Sequence, residues 1–230
     1  MTENKIVAVV VAHPDDEVLG CGGTVNRMAN NGDIIYPLIV VEGATARQMS
    51  QDDRDDSSIA MLQDTAKKVA KILGTEPPKF AGAPDNRLDG IERIEITKIV
   101  EQFINDIKPA IIFTHHLGDL NVDHRRVHEA VITACRPLPS SSVQSIYAFE
   151  TVSSTEWTPG GMTPFVPNRF VNITDNLEKK LEALDGYSSE MRPFPHARSK
   201  ENVEALARFR GASVGLEAAE AFALIRQVCR

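Results

Sequence analysis

The chain has 230 residues, 42% of them apolar and 25% charged, which suits one α/β domain and excludes a wholly disordered or fibrous chain. Thirty-two acidic against 25 basic residues leave a net charge of -7, which argues against a nucleic-acid backbone or an anionic membrane surface as partner. The cysteines, Cys21, Cys135 and Cys229, stand far apart without CxxC spacing. Neither a disulfide framework nor a thiolate zinc site is expected, and a reducing, cytoplasmic setting suits such a chain.

Lys5 followed by the apolar run Ile6 to Ala12 has the superficial look of a signal peptide. The run is short for one, and His13-Pro14-Asp15-Asp16-Glu17 stands where small cleavage-site residues belong. It is also far too short to span a bilayer, so a buried central strand is expected. A helix over Val18–Asn30 follows, closed by Asn31-Gly32, and then a second strand over Ile34–Val41. The helix over Asp55–Leu73 carries Ile59, Leu62, Ala66, Val69 and Leu73 on one face. A short strand near Lys79–Ala81, a helix over Ile91–Ile107, a strand over Ala110–Thr114 and a fifth strand near Val143–Phe149 continue the alternation.

Strands separated by helices predict a Rossmann-like, mostly parallel sheet of order 3-2-1-4-5, covered by helices on both faces. From Thr151 to Asn168 the pattern gives way to Ser, Thr, Pro and Gly, too long for an ordinary connection, which predicts a functional loop or lid. A strand over Arg169–Ile173 and two or three helical segments complete an irregular C-terminal extension. Periodicity leaves Gly215–Arg226 open between helix and strand. No repeat or internal boundary divides residues 1–230, which read as one domain.

The sharpest chemical signal is His13-Pro14-Asp15-Asp16-Glu17, directly after the first strand. Loops at the carboxyl ends of parallel strands form the ligand crevice of such sheets. A histidine and three carboxylates crowded there repel one another unless a cation or a shared proton compensates. An N-cap or Asx turn accounts for one carboxylate but not for all three. His13 and Asp16 can converge on one metal ion, leaving Asp15 free as a base. Thr114-His115-His116-Leu117-Gly118-Asp119-Leu120-Asn121-Val122-Asp123-His124 follows the fourth strand and faces the first loop across the switch point. A third ligand from it would complete a facial set with one position open for water, as in catalytic zinc sites.

Imidazole ligands favour zinc or another divalent transition metal over magnesium. His124 and His128 are four apart like the pair in HExxH, but Arg125 stands where that motif needs Glu. Gly20-Cys21-Gly22-Gly23 lacks the GxGxxG spacing of a dinucleotide site and reads as close helix–sheet packing. Arg47 and Arg87 lie in loops expected to reach the crevice, where they would bind sugar hydroxyls or a phosphate, or else form solvated ion pairs. Arg54 sits in an acidic run and reads as the latter. Trp157 reads as either a sugar-stacking platform or a loop anchor.

The pairing of HPDDE with Asp-x-Asn-x-Asp-His resembles the LmbE/PIG-L family of zinc-dependent N-deacetylases, which remove acetyl groups from N-acetylglucosamine-containing compounds. Glu42-Gly43-Ala44-Thr45-Ala46-Arg47, Asp85-Asn86-Arg87-Leu88, His196-Ala197-Arg198-Ser199 and Ala219-Glu220-Ala221-Phe222 are similar to further segments of that family. The resemblance implies that His13, Asp16 and His124 bind zinc, that Asp15 is the catalytic base, and that Asp123 orients a neighbour or assists the base. Many members have His-Pro-Asp-His where this chain has Asn121-Val122-Asp123-His124. Asn121 would donate to an oxyanion in place of that histidine, and His115, His116 and His196 are the alternatives for its role; His115 and His116 by position either line the pocket or cap the strand end, and His116 and His196 are expected substrate-binding residues. The expected activity is removal of an N-acetyl group by metal-activated water from a small amino-sugar substrate. A phosphoesterase-like hydrolase and a non-catalytic carbohydrate-binding protein with a structural metal are the competing readings. The sequence leaves the oligomeric state, a homo-oligomer included, open.

Overall fold

A computed structural model describes residues 4–43 and 56–229. Among the described residues seven strands form one sheet: β1 (Ile6–Val11), β2 (Ile34–Val41), β3 (Lys79–Ala83), β4 (Ile111–His115), β5 (Ser145–Phe149), β6 (Arg169–Asn172) and β7 (Ala219–Gln227). The α-helices among the described residues connect and cover them: α1 (Asp16–Asn30), α2 (Asp56–Leu73), α3 (Arg93–Ile107), α4 (Val122–Ala134), α5 (Leu177–Gly186) and α6 (Lys200–Ala212). The spatial order is β3-β2-β1-β4-β5-β7-β6, so the predicted 3-2-1-4-5 core is present with an antiparallel pair added beyond β5.

The apolar run of β1 is continuous because both of its faces are covered. Val7, Val9 and Val11 pack with Val18 and Val25 of α1, Val69 and Leu73 of α2 and Leu184 of α5. Ala8, Val10 and Ala12 face the other way, toward Val100 and Phe103 of α3 and Val127 and Val131 of α4. The two-residue repeat of an extended chain makes this division, and a central parallel strand needs apolar residues at every position.

The segment left open between helix and strand is β7, antiparallel to both β5 and β6. Its Phe222 enters the core 5.0 Å from the Phe113 ring, and its Glu220 turns inward to α1. That helix kinks at Cys21, where φ is −148°. The amides of Gly23 and Thr24 beyond the kink donate to the two oxygens of Glu220 at 3.0 and 2.7 Å. Lys180 of α5 closes the arrangement, bonding Glu220 Oε1 at 2.6 Å and Leu19 O at 2.9 Å, so the buried charge is both paired and hydrogen-bonded. The glycines here serve close packing, as expected: a Cβ on Gly20 would lie 2.2 Å from the Phe149 ring. Among the described residues no helix is long and apolar enough to cross a membrane.

Candidate metal centre

β1 and β4 are parallel neighbours, with Val10 opposite Thr114, so the loops that follow them leave the sheet side by side. Ala12 N donates to His115 Nε2 at 2.9 Å, stitching the two loop entrances together. The β1 loop then turns sharply. Asp15 has φ 123°, an unusual conformation for a residue with a side chain, and α1 begins at Asp16. On the other side Asn121 caps α4, its Oδ1 accepting from Asp123 N at 2.8 Å.

These turns bring His13, Asp16 and His124 to one point. His13 Nδ1 lies 3.1 Å from Asp16 Oδ2 and 3.2 Å from His124 Nε2, and His124 Nε2 lies 3.4 Å from Asp16 Oδ2. A tetrahedron around zinc with bonds of about 2.0–2.1 Å has edges of roughly 3.3 Å, so the three atoms are spaced to share an ion. The electrostatics agree. Burial opposes charge on both rings, yet Asp123, Asp16 and Asp85 raise His13 well above its usual range, and Asp16 and Asp119 raise His124 to about 9. The carboxylates thus demand positive charge at the place where a cation would sit.

Each ring is steered from behind. His124 Nδ1 lies 3.2 Å from Asp119 Oδ1, and Asp119 accepts from the hydroxyls of Ser154 and Thr155. Burial resists the charge on Asp119, but His124, Ser154 and Thr155 hold its carboxyl down at about 2. His13 Nε2 lies 3.1 Å from Asp85 Oδ1 and 3.4 Å from Asp123 Oδ2. His13, Asp85 and Asp123 form a second cluster of ligand-type atoms, but Asp123 is committed to the main chain, accepting from Asn86 N at 2.6 Å and Leu88 N at 3.0 Å. It therefore fits a supporting place better than a ligand's. Such partners fix the tautomer and direction of a ligating ring. Asp119→Asn is expected to leave the fold intact and weaken metal affinity about 10–100-fold, read by competition with a chromogenic chelator.

Asp15 stands beside this set, buried, and burial pushes its carboxyl up to about 7 against the opposing pull of Arg198. A cavity of about 800 Å³ opens over it, lined among others by His13, Asp85, Asn86, Asn121, His196 and Arg198. His196 is exposed at its rim, where its ring meets that of Trp157 edge-on at 6.1 Å. Trp157 is 51% exposed and also lines the cavity. The Nδ2 of Asn121 donates to Asn86 Oδ1 at 3.2 Å.

Other expected site residues lie elsewhere. His116 donates from Nε2 to Thr163 O at 2.9 Å and packs against Phe165, so its ring secures the 151–168 segment. Arg87 is exposed, and among the described residues neither it nor His116 lines the cavity. Arg47 and Arg54 fall outside the described residues. His128 is buried in α4 and bonds His115 O at 2.7 Å, a packing role. His115 is buried against His124, rings stacked at 3.8 Å, and burial together with the neighbouring His124 lowers it to about 4. Asp85, Asp119 and Arg198 received no role from the sequence. The local signal for Arg198 was its place in His196-Ala197-Arg198-Ser199. Asp85 opens the similar segment after the third strand, and Asp119 stands within the second motif itself.

Comparison with known proteins identifies the family. The family model described as PIG-L, GlcNAc-PI de-N-acetylase, matches residues 8–135. The chain is 28% identical over 193 residues to the protein named uncharacterized deacetylase YaiS of Escherichia coli K12, covering 81% of this chain and 92% of that one. It is 26% identical over 194 residues to the diacetylchitobiose deacetylase of Thermococcus kodakarensis, covering 81% and 70%. In fold it resembles GalB, the 4-carboxy-2-hydroxymuconate hydratase of Pseudomonas putida KT2440, with a TM-score of 0.78 at 18% identity over 98% of both chains. A hydratase on the same fold means that the architecture alone does not select the reaction. The family match is more specific: it spans over half of the chain, including every residue of the His13, Asp16 and His124 cluster, and the chain belongs to the PIG-L, GlcNAc-PI de-N-acetylase, family.

Proposed function

We propose that the protein is a zinc-dependent hydrolase that removes the N-acetyl group from an N-acetylglucosamine-containing substrate, with Asp15 as general base. The observation that carries this reading is the convergence of His13, Asp16 and His124 beside a buried carboxylate, with His13 and that carboxylate, Asp15, lining one open cavity. Two imidazoles and one carboxylate are a donor set suited to zinc with a position left for water. Bound there, zinc would supply a water of pKa about 7 and a Lewis acid for the carbonyl oxygen.

The chain's own residues do the rest. Asp15 Oδ1 has no hydrogen-bond partner among the described residues, so it is the atom to take the proton of the attacking water. Its elevated proton affinity places it near the optimum for a base at neutral pH. The same carboxyl then returns the proton to the nitrogen as the C–N bond breaks, leaving acetate and a free amine. Asn121 is committed through Oδ1 to its cap and through one Nδ2 hydrogen to Asn86. Its second Nδ2 hydrogen is available to the developing oxyanion, a contribution on the order of 3 kcal/mol. Asp123 holds His13 and the loop after β3, and His196 at the rim contacts the sugar.

The test is acetate release from a panel of N-acetylglucosamine derivatives by the zinc-loaded protein. Acetate from at least one is the expected result. Phosphate release from a phosphomonoester, water addition to an unsaturated carboxylate, or sugar binding without turnover would each replace this reading with another.

A further inference from the structure

Asp15 is gripped from a part of the chain far away in sequence. Arg198, 183 positions later in the segment between α5 and α6, places Nη1 2.5 Å from Asp15 Oδ2. The pair is nearly closed to solvent, the two side chains being 20% and 2% exposed. The guanidinium is anchored independently of Asp15: its Nε donates to Ser153 Oγ at 2.7 Å, and Glu190 Oε2 lies 4.0 Å from Nη1. The main chain of Arg198 is tied as well, its N donating to His196 Nδ1 at 3.0 Å and its carbonyl accepting from Arg192 N at 3.1 Å. The backbone of Asp15 has a second grip. Its N–H donates to Glu17 Oε2 at 3.0 Å, and Glu17 Oε1 accepts from Tyr187 Oη at 2.6 Å.

A residue at φ 123° persists only where its surroundings over-determine it, and here the main chain is held by Glu17, itself bonded to Tyr187, and the side chain by Arg198. One carboxylate oxygen is engaged by Arg198, while the other, Oδ1, is buried and has no hydrogen-bond partner among the described residues. A free carboxylate could turn either oxygen toward a reacting water; this one has a single oxygen to offer, in one orientation.

We infer that Arg198, anchored by Ser153, is the positioning residue for the general base, holding Asp15 Oδ2 so that Oδ1 alone faces the reacting atoms. This rests on the reading of Asp15 as base. A planar fork bonded at Nε and Nη1 to two partners fixes direction as well as charge, which an ammonium cannot reproduce. A structural ion pair would need only the charge.

The experiment compares zinc-loaded wild type with Arg198→Ala, Arg198→Lys and Ser153→Ala in acetate release, zinc content and crystal structure. Arg198→Ala is expected to lose kcat on the order of 10²-fold, because misplacement of a reacting group by an ångström costs that much, with KM changed less than about threefold. Zinc content should stay at the wild-type value, and added guanidinium should restore turnover to Arg198→Ala but not to Asp15→Asn. Arg198→Lys should remain well below wild type, and Ser153→Ala should fall in the same direction by a smaller factor. In crystals of Arg198→Ala the Asp15 carboxylate should leave its wild-type orientation. Should Arg198→Ala fail to fold, Arg198→Lys and Ser153→Ala decide the matter on the same readouts. Wild-type kcat in those variants, or an Asp15 carboxylate that stays in place without Arg198, overturns the inference. If wild type releases no acetate from any substrate, the deacetylase reading fails, and the crystallographic position of Asp15 still decides the clamp.

Discussion

Asp15→Asn is expected to retain its metal and to lose turnover by about 10²–10⁴-fold, the range that a general acid–base group contributes. The substitution changes charge and proton affinity at nearly constant shape. None of the three converging ligand atoms belongs to residue 15, so metal content should be that of wild type. The backbone should also hold, because asparagine is among the side-chain-bearing residues most tolerant of positive φ, and the N–H bond to Glu17 does not involve the side chain. Without a carboxylate, however, nothing at this position can accept the proton of the attacking water or return it to the leaving amine. The check is zinc content by elemental analysis beside acetate release on the best substrate of the panel. Full activity would remove Asp15 as the base, and loss of metal would move it into the ligand set.

Removing the metal, or either ligand from the facing loops, should abolish turnover altogether. Asp16→Ala and His124→Ala each remove one of only three converging ligand atoms, so affinity should fall by more than the 10–100-fold typical of a supporting residue. Chelation of wild type should lower its thermal midpoint, since a ligand present at about 100 times its Kd stabilises the folded state by roughly 2.7 kcal/mol. Added zinc should restore both midpoint and activity to wild type, and neither to His124→Ala. The pH dependence has a definite sign. In the metal-free protein the neighbouring carboxylates keep His13 and His124 protonated, His124 up to about 9, and each ring must release its proton to coordinate. Metal affinity should therefore rise with pH up to that range and weaken on acidification. Competition titrations across this window check it, and affinity independent of pH would place the metal on other ligands.

Much of this protein is legible along the chain because the deciding interactions are local or follow from one rule of connectivity. The unbroken apolar run of β1 reports a strand covered on two faces. Alternation of strands with amphipathic helices dictates a parallel core, and in the 3-2-1-4-5 order His13-Pro14-Asp15-Asp16-Glu17 and the 114–124 loop must leave adjacent strands on the same edge. Connectivity therefore named His13 and Asp16, which share a turn, and the loop that would supply a third ligand; the choice of His124 within that loop came only from the resemblance to the LmbE/PIG-L family, because spacing does not choose among His115, His116 and His124.

What only the tertiary structure decided depends on distances between segments with no pattern in common. The last strand has no distinguishing period; it is a strand because β5 and β6 offer it hydrogen bonds and Phe222 finds the core beside Phe113 and Tyr147. His116 was a reasonable pocket residue by position, yet its ring is drawn to Thr163 O, and Arg87 remains in solvent. Within the irregular 151–168 segment Ser154 and Thr155 hold Asp119 behind His124, while Ser153 and Trp157 line the cavity. Arg198 reaches Asp15 across 183 positions. Local pattern determines which face of an element is apolar and where the chain must turn, but the meeting of two side chains from separate loops is set by how the whole core packs, to within an ångström.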